Sequence, residues 1–159
     1  MDIPILLAGT IDILPGYSFT TGSPVTLTST SIVSIPSNAA FYANAPLTGC
    51  SRFPGNGEFA LSSTYTLTSA CVLNITTFSF SGTIISPFGT QLNVATLTPF
   101  QANFLGNGTI SPMGASLSLS SYDTGLAQGW QIVIPKSTTL ICVQSYGCTF
   151  NGVGTSVGT

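Results

Sequence analysis

The sequence predicts an all-β protein with one domain, a β-sandwich or jelly roll that carries an extended N-terminal strand. Three observations favour this class. Apolar and polar residues alternate at the period of a β-strand, and no segment repeats apolar residues at helical spacing. β-Branched residues and glycine are abundant, which disfavours helices. Turn residues separate the apolar stretches at regular intervals, as in sandwiches and jelly rolls.

The N-terminal segment alternates at the period of a strand with one buried face. Every second residue is aliphatic except for one glycine, in the row Ile3, Ile5, Leu7, Gly9, Ile11 and Ile13. Burying each such aliphatic side chain is worth about 1.5–3 kcal/mol, so the row must be covered by protein. It is either the first strand of its own domain or a strand that completes the sheet of a neighbouring copy. We favour the second, which makes residues 1–16 a donor strand with a hinge at Pro15-Gly16 and residues 17–159 the sandwich domain.

The rest of the chain predicts roughly eight to ten strands at regular spacing. Residues 48–57 are predicted as a loop, and residues 59–75 as the clearest strand, with its odd-numbered residues on the inner face. Asn107-Gly108 indicates a hairpin turn. Neither an internal repeat nor a second domain is visible. The other strands are predicted around residues 25–35, 41–42, 78–84, 92–94, 117–119, 130–134 and 140–143.

Four cysteines, Cys50, Cys71, Cys142 and Cys148, allow three disulfide pairings. The turn-like spacer VQSYG favours a local bridge between Cys142 and Cys148, which leaves Cys50 to pair with Cys71. Zinc is disfavoured, because the spacings are poor and the chain has no histidine. Disulfides indicate an oxidising compartment or a hyperthermophilic source.

Two triplets fit the acceptor pattern for N-linked glycans, Asn74-Ile75-Thr76 and Asn107-Gly108-Thr109. Asn74 lies on the outer row of the strand predicted over residues 59–75, and Asn107 lies in the predicted turn. A glycan can stand in solvent at either place without disturbing the core. We therefore expect N-linked glycans on both asparagines.

Charged residues make up 4% of the chain, against about 25% in typical proteins. Two cationic side chains cannot form the basic patch that nucleic-acid binding needs. Without histidine there is no Ser-His or Cys-His nucleophile pair, and the four acidic residues show no catalytic or metal-binding spacing. We therefore expect no enzyme activity, no metal and no other cofactor.

No apolar run reaches the ~20 residues of a membrane-spanning helix. A surface with so little charge lacks repulsion between copies, which favours self-association.

The alternating row of residues 3–13 resembles the donor strand of pilins that polymerise by donor-strand exchange, in which apolar side chains fill pockets of the neighbouring subunit and a small residue occupies one of them. The whole chain, nearly uncharged and rich in Ser and Thr, with its sequons and cysteines, resembles the extracellular thread-type filament subunits of thermoacidophilic archaea. The resemblance implies a glycosylated cell-surface pilus, a head-to-tail homopolymer with a role in adhesion or biofilm.

Two other functions remain open from the sequence. A viral capsid or coat protein with a jelly-roll fold would share the all-β pattern and self-association. A secreted carbohydrate-binding module would be monomeric and would expose aromatic residues such as Trp130, Tyr122 or Tyr146 on one face. Trp130 shares its alternating row with Ile132 and Ile134, so we expect its side chain to lie in the core.

Overall fold

The computed structural model describes residues 3–120, 124–126, 129–143, 150–152 and 155–158, which form strands and turns and no helix. The described strands are β1 (Ile5–Leu7), β2 (Thr10–Asp12), β3 (Ser18–Thr21), β4 (Val25–Leu27), β5 (Ile32–Ser34), β6 (Ala40–Ala43), β7 (Leu47–Gly49), β8 (Glu58–Leu61), β9 (Thr64–Thr66), β10 (Cys71–Phe80), β11 (Thr83–Pro99), β12 (Asn103–Pro112), β13 (Ser116–Leu119), β14 (Thr124–Leu126), β15 (Trp130–Ile134), β16 (Thr139–Cys142), β17 (Phe150–Gly152) and β18 (Thr155–Gly158).

The strands wind into a parallel β-solenoid. All ladders between these strands are parallel. Val25 pairs with Leu47, and Leu47 pairs with Tyr65, so the chain returns to the same face after about 20 residues, at the short end of solenoid repeats. Successive coils are therefore stacked at the strand spacing of about 4.8 Å.

Each coil contributes to three faces. Face A contains β1, β4, β7, β9, the first parts of β11 and β12, β14 and β17. Face B contains β2, β5, the first part of β10, the middle of β11, the second part of β12, β15 and β18. Face C contains β3, β6, β8, the last parts of β10 and β11, β13 and β16. Coils 1 to 5 comprise residues 5–21, 25–43, 47–61, 64–80 and 83–99. On face B coil 3 has no strand, and its one bridge there joins Ile32 to Arg52.

Inward-pointing apolar side chains from all three faces fill the interior. Their most regular feature is an aromatic column along the solenoid, in which neighbouring ring centroids lie 4.8–5.9 Å apart, within the range of favourable ring contacts. The members of the aromatic column are Phe19, Phe41, Phe59, Phe78, Phe80, Phe104 and Trp130.

Glycine is required at two positions, because a backbone carbonyl or an aromatic ring of a neighbouring coil lies too close to leave room for a Cβ atom. Gly49 has φ +107°, and a Cβ there would collide with the carbonyl of Leu27 in the preceding coil. Gly108 lies against the indole of Trp130, where a Cβ would come within 2.5 Å of ring atoms. The indole N–H donates to the Leu105 carbonyl at 3.1 Å, which satisfies the only polar atom of this buried side chain. The expectation that Trp130 lies in the core is confirmed.

The prediction of an all-β chain is confirmed, and the prediction of a sandwich or jelly roll is wrong. Alternation identifies a strand with one buried face, and it has the same period in parallel and antiparallel sheets. Residues 59–75 belong to three strands on successive faces, although the odd-numbered residues face inward as expected wherever those strands run. Asn107-Gly108 lies inside β12 and makes no hairpin. The predicted loop at residues 48–57 contains part of β7, and the solenoid turn is a structural repeat that the sequence did not show.

Candidate functional site

The aliphatic row at the N terminus forms coil 1 of the chain's own solenoid. β1 pairs with β4, which aligns Ile5 with Val25, and β2 pairs with β5, which aligns Ile11 with Val33. Because Val25 and Val33 point into the core, their ladder partners point the same way. Ile5, Leu7, Ile11 and Ile13 of the predicted row therefore face inward within this chain, whereas Ile3 is 75% exposed and Gly9 is exposed at the turn between β1 and β2. Exchange of the same segment between copies stays a prediction.

Coil 1 is covered on one side only. Ile5 is 44% exposed whereas its ladder partner Val25 is 4% exposed, and Phe19 is 38% exposed whereas its partner Phe41 is 1% exposed. These residues point inward, and coil 2 covers one side of them. No other coil among the described residues covers the opposite side, so these inward-facing side chains are exposed there.

The backbone of coil 1 shows the same asymmetry. Hydrogen bonds join it to coil 2, from Ile5 N to the Pro24 carbonyl (2.8 Å) and from Ile32 N to the Gly9 carbonyl (3.1 Å). The Ser31 hydroxyl donates to the Leu7 carbonyl at 2.6 Å. Within the described ranges β1, β2 and β3 each ladder with one strand, and that strand is always in coil 2. We call the unpaired side of these three strands the N-terminal edge.

The described strands furthest along the chain form a second edge. β17 on face A pairs only with β14, β18 on face B only with β15, and β16 on face C only with β13, as far as the described residues show. We call the other side of these strands the C-terminal edge. Among the described residues, each face therefore has at either end a strand that forms one ladder.

Gly9 lies between β1 and β2, where the chain passes from face A to face B. It is exposed, and a Cβ built on it meets no atom within 4 Å. Coil 1 therefore tolerates a larger side chain at this position, in contrast to Gly49 and Gly108 deeper in the solenoid. Its carbonyl is already bonded to Ile32, so a substitution leaves the contact with coil 2 in place.

The predicted bridge between Cys50 and Cys71 is confirmed, with Cα atoms 6.1 Å apart. It joins coil 3 to coil 4 beside the segment of face B where coil 3 has no strand, and thus supplies a covalent link where the ladder is missing. Cys142 is also disulfide-bonded. Its predicted partner Cys148 lies outside the described residues.

Both predicted glycan acceptors are exposed. Asn74 lies on the outer row of β10, and its side-chain carbonyl accepts a hydrogen bond of 2.7 Å from the Asn93 amide on the next coil. The Thr76 hydroxyl of the same triplet donates to the Gly55 carbonyl at 3.0 Å. Asn107 is exposed within β12. Glycosylation of either asparagine stays a prediction.

Titratable groups do not gather into a site in the part of the chain that the structure describes. Asp12, Arg52, Glu58 and Lys136 are the described charged side chains, and no group of three or more potential metal ligands occurs among the described residues. Tyr65 is fully buried, and this burial raises the pKa of its phenol. Tyr122 and Tyr146, the other aromatic residues considered for carbohydrate binding, lie outside the described residues.

Sequence reasoning missed Phe19 as part of this end of the molecule. Its ring lies 5.9 Å from that of Phe41 and forms the exposed start of the aromatic column. A signal for it exists, because Phe19, Phe41, Phe59 and Phe78 recur at about the length of one solenoid turn.

None of the described segments is a helix long and apolar enough to cross a membrane. Comparison of the chain with known protein families, with curated proteins and with solved structures finds no match.

Proposed function

We propose that this protein is a structural, non-catalytic subunit of an extracellular cell-surface filament in which copies join head to tail. In the joint, the N-terminal edge of one copy meets the C-terminal edge of the next, so that faces A, B and C continue from copy to copy. The observation that carries the proposal is the open interior of coil 1, where Ile5 and Phe19 point inward and remain 44% and 38% exposed.

The geometry of the two edges favours a filament over a closed ring or dimer. They are different surfaces at opposite ends of one stack of parallel strands, so a contact between them is heterologous. Stacking along the solenoid direction does not close on itself, and each added copy presents a new edge. The unpaired N–H and C=O groups of an edge strand are a ready template for another strand.

The side chains of coil 1 supply the driving force. Full burial of an Ile or Phe side chain is worth about 1.5–3 kcal/mol, so covering the exposed part of Ile5 and Phe19 contributes on the order of 1 kcal/mol each. Leu7 and Ile11, which pack against the core and are only partly buried, add to the same surface. The scarcity of charge removes the repulsion that would oppose this contact.

Composition supports the extracellular setting. The Cys50–Cys71 disulfide fits an oxidising compartment, and two exposed asparagines stand in glycan-acceptor triplets. Together with the resemblance to thread-type filament subunits, this favours a cell-surface filament with a role in adhesion or biofilm. The viral-coat alternative was based on a jelly roll, which the solenoid replaces.

Ile5→Asp tests the joint. Ile5 is half exposed in the single chain, so the variant should remain folded, but in the joint it would bury an unpaired carboxylate. Val72→Asp is the matched control, because Val72 is 55% exposed on the outside of β10 and away from both edges. We expect the wild-type chain and Val72→Asp to form filaments in electron micrographs and Ile5→Asp to sediment as a folded monomer. A wild-type chain that stays monomeric at high concentration would overturn the proposal.

A cysteine pair distinguishes stacking from strand exchange. Leu6 and Thr26 are paired in the ladder between β1 and β4, and both side chains are exposed. Leu6→Cys with Thr26→Cys, oxidised before assembly, ties β1 to its own chain. Stacking predicts that the oxidised double variant still polymerises, whereas donor-strand exchange predicts that it polymerises only after reduction.

A further inference from the structure

A shallow groove runs across face C at the corner where each coil turns towards face A. Its volume is about 280 Å³, and none of the described residues that line it is charged. Two columns of side chains from successive coils form its lining, Tyr42, Ala60, Ser79 and Thr98 in the first and Asn44, Ser62, Ser81 and Phe100 in the second. We call this feature the corner groove. It is built by a single copy and does not depend on the proposed joint.

The corner groove is elongated and has an aromatic ring near each end. Tyr42 lies in coil 2 and Phe100 directly follows coil 5, so they are separated by three strand spacings, about 14 Å along the solenoid. The Tyr42 side chain is 36% exposed and that of Phe100 is 51% exposed. Between them the floor is made of small side chains such as Ala60 and Ser79. An extended ligand can therefore lie along the floor, with the exposed ring of Tyr42 at one end and the exposed part of the Phe100 side chain at the other.

The polar groups of the corner groove are hydroxyls and an amide. The Ser62 hydroxyl donates to the side-chain carbonyl of Asn44 at 2.9 Å, which leaves the amide NH₂ as the donor that Asn44 can offer a ligand. Ser79 and Thr98 are ladder partners, so their hydroxyls repeat at the strand spacing of about 4.8 Å. A surface with regularly spaced hydroxyls, and with no charged side chain among its described lining, matches a ligand that is itself a repeating, uncharged polyol.

We infer that the corner groove binds a neutral polysaccharide. Sugar rings have apolar faces that pack on aromatic rings and hydroxyls that exchange hydrogen bonds with serine, threonine and amide groups, which are the two kinds of group present here. An extended peptide is disfavoured, because it needs a free strand edge for its backbone. Of the strands beneath the groove, β6, β8 and β10 are paired on both sides, and β11 is paired with β10 as far as Pro99 and with β13 at Thr96 and Leu97.

Affinity electrophoresis of the full chain in gels containing dextran, mannan or laminarin tests this inference. We expect at least one of these neutral polysaccharides to retard the wild-type protein, and Tyr42→Ala to weaken that binding roughly tenfold, the size of effect expected for a loss of about 1.4 kcal/mol. Phe88→Ala is the matched control, because Phe88 is an exposed aromatic residue outside the groove. It should bind like the wild type.

Each other outcome overturns the inference. Failure of all three neutral polysaccharides to bind would do so, as would equal retardation by the anionic polymer polygalacturonate or displacement by a casein digest. If Tyr42→Ala and Phe88→Ala bound equally well, the ligand would lie elsewhere. Thermal unfolding of both variants shows whether either substitution changes the fold, and Ser79→Gln, which fills the floor without removing a ring, provides a second test and should also weaken binding.

Discussion

Replacing Tyr65 with Phe is expected to stabilise the solenoid. Tyr65 lies in β9, on the inner side of face A, and its side chain is fully buried beside Phe59, with ring centroids 6.3 Å apart. Its hydroxyl has no hydrogen-bond partner among the residues that the structure describes. The unfolded chain hydrates this hydroxyl, whereas the folded chain does not, so folding carries the desolvation penalty of one polar group.

The size of the expected stability gain follows from the desolvation penalty of the Tyr65 hydroxyl. Burial of a hydroxyl without a partner costs about 1–3 kcal/mol in protein mutational data. Phe retains the ring of Tyr65 and leaves only the small space of one oxygen atom, so the loss of packing offsets part of the gain. We expect the free energy of unfolding to rise by about 1 kcal/mol, which corresponds to a rise in Tm of about 2–4 °C for a chain of this size.

The same substitution should also change how the free energy of unfolding depends on pH above pH 10. Burial raises the pKa of the Tyr65 phenol above its ordinary value of 10.0. Below pH 10 both folded and unfolded chains keep the proton, and above it the unfolded chain releases the proton while the folded chain retains it. The free energy of unfolding therefore falls with rising pH, by up to about 1.4 kcal/mol per pH unit for this one group. Tyr65→Phe removes that contribution.

Denaturant unfolding at pH 7 and at pH 11 measures both effects. Tyr17→Phe is the control, because Tyr17 is exposed and its hydroxyl is hydrated in both states. The stability difference between Tyr65→Phe and the wild type should favour the variant at pH 7 and widen at pH 11. A variant less stable than the wild type at pH 7 would show that the hydroxyl is hydrogen-bonded, and the reasoning from an unpartnered group would fail.

Two further substitutions test the packing and the covalent link between coils. Gly108→Ala should destabilise the fold by about 1–3 kcal/mol in thermal unfolding, because the new methyl group would overlap the Trp130 ring, whereas Gly9→Ala, in open space, should change stability little. Replacing both Cys50 and Cys71 with Ser should lower the free energy of unfolding by about 3 kcal/mol, because the bridge closes a loop with a sequence separation of 21 residues. An equal Tm for the two glycine variants, or a cysteine variant as stable as the oxidised wild type, would contradict these expectations.

The sequence predicts which residues are buried better than it predicts which strands are neighbours. Alternation placed Leu61, Tyr65 and Leu73 on the inside and Asn74 on the outside, and the structure agrees. It could not predict the fold, because a buried row looks the same whether the next strand returns through a hairpin or through a full solenoid turn.

The sequence does not reveal the solenoid repeat, because only the apolar character of the inward-facing residues recurs and not their identity. On face A the inward position is Val25, Leu47, Tyr65, Ile84 and Phe104 on successive coils, so no two neighbours are identical. The number of residues per turn also varies, which blurs a fixed period. The interior requires an apolar side chain that fits its neighbours, and many different residues meet that requirement. The exposure of the inward-facing side chains of coil 1 could not be predicted either, because it depends on which coils are stacked against coil 1.

The scarcity of charge has a structural cause in this fold as well as a consequence for assembly. Each outward-facing side chain has neighbours about 4.8 Å away on the coils above and below, and two like charges near that distance repel by about 1 kcal/mol even in water. Uncharged side chains can instead bond along the stack, as Asn93 does to Asn74 and Ser62 to Asn44. If copies stack end to end, the coil at the joint has the same neighbours as a coil inside one copy. A surface that avoids repulsion between coils then also avoids it between subunits.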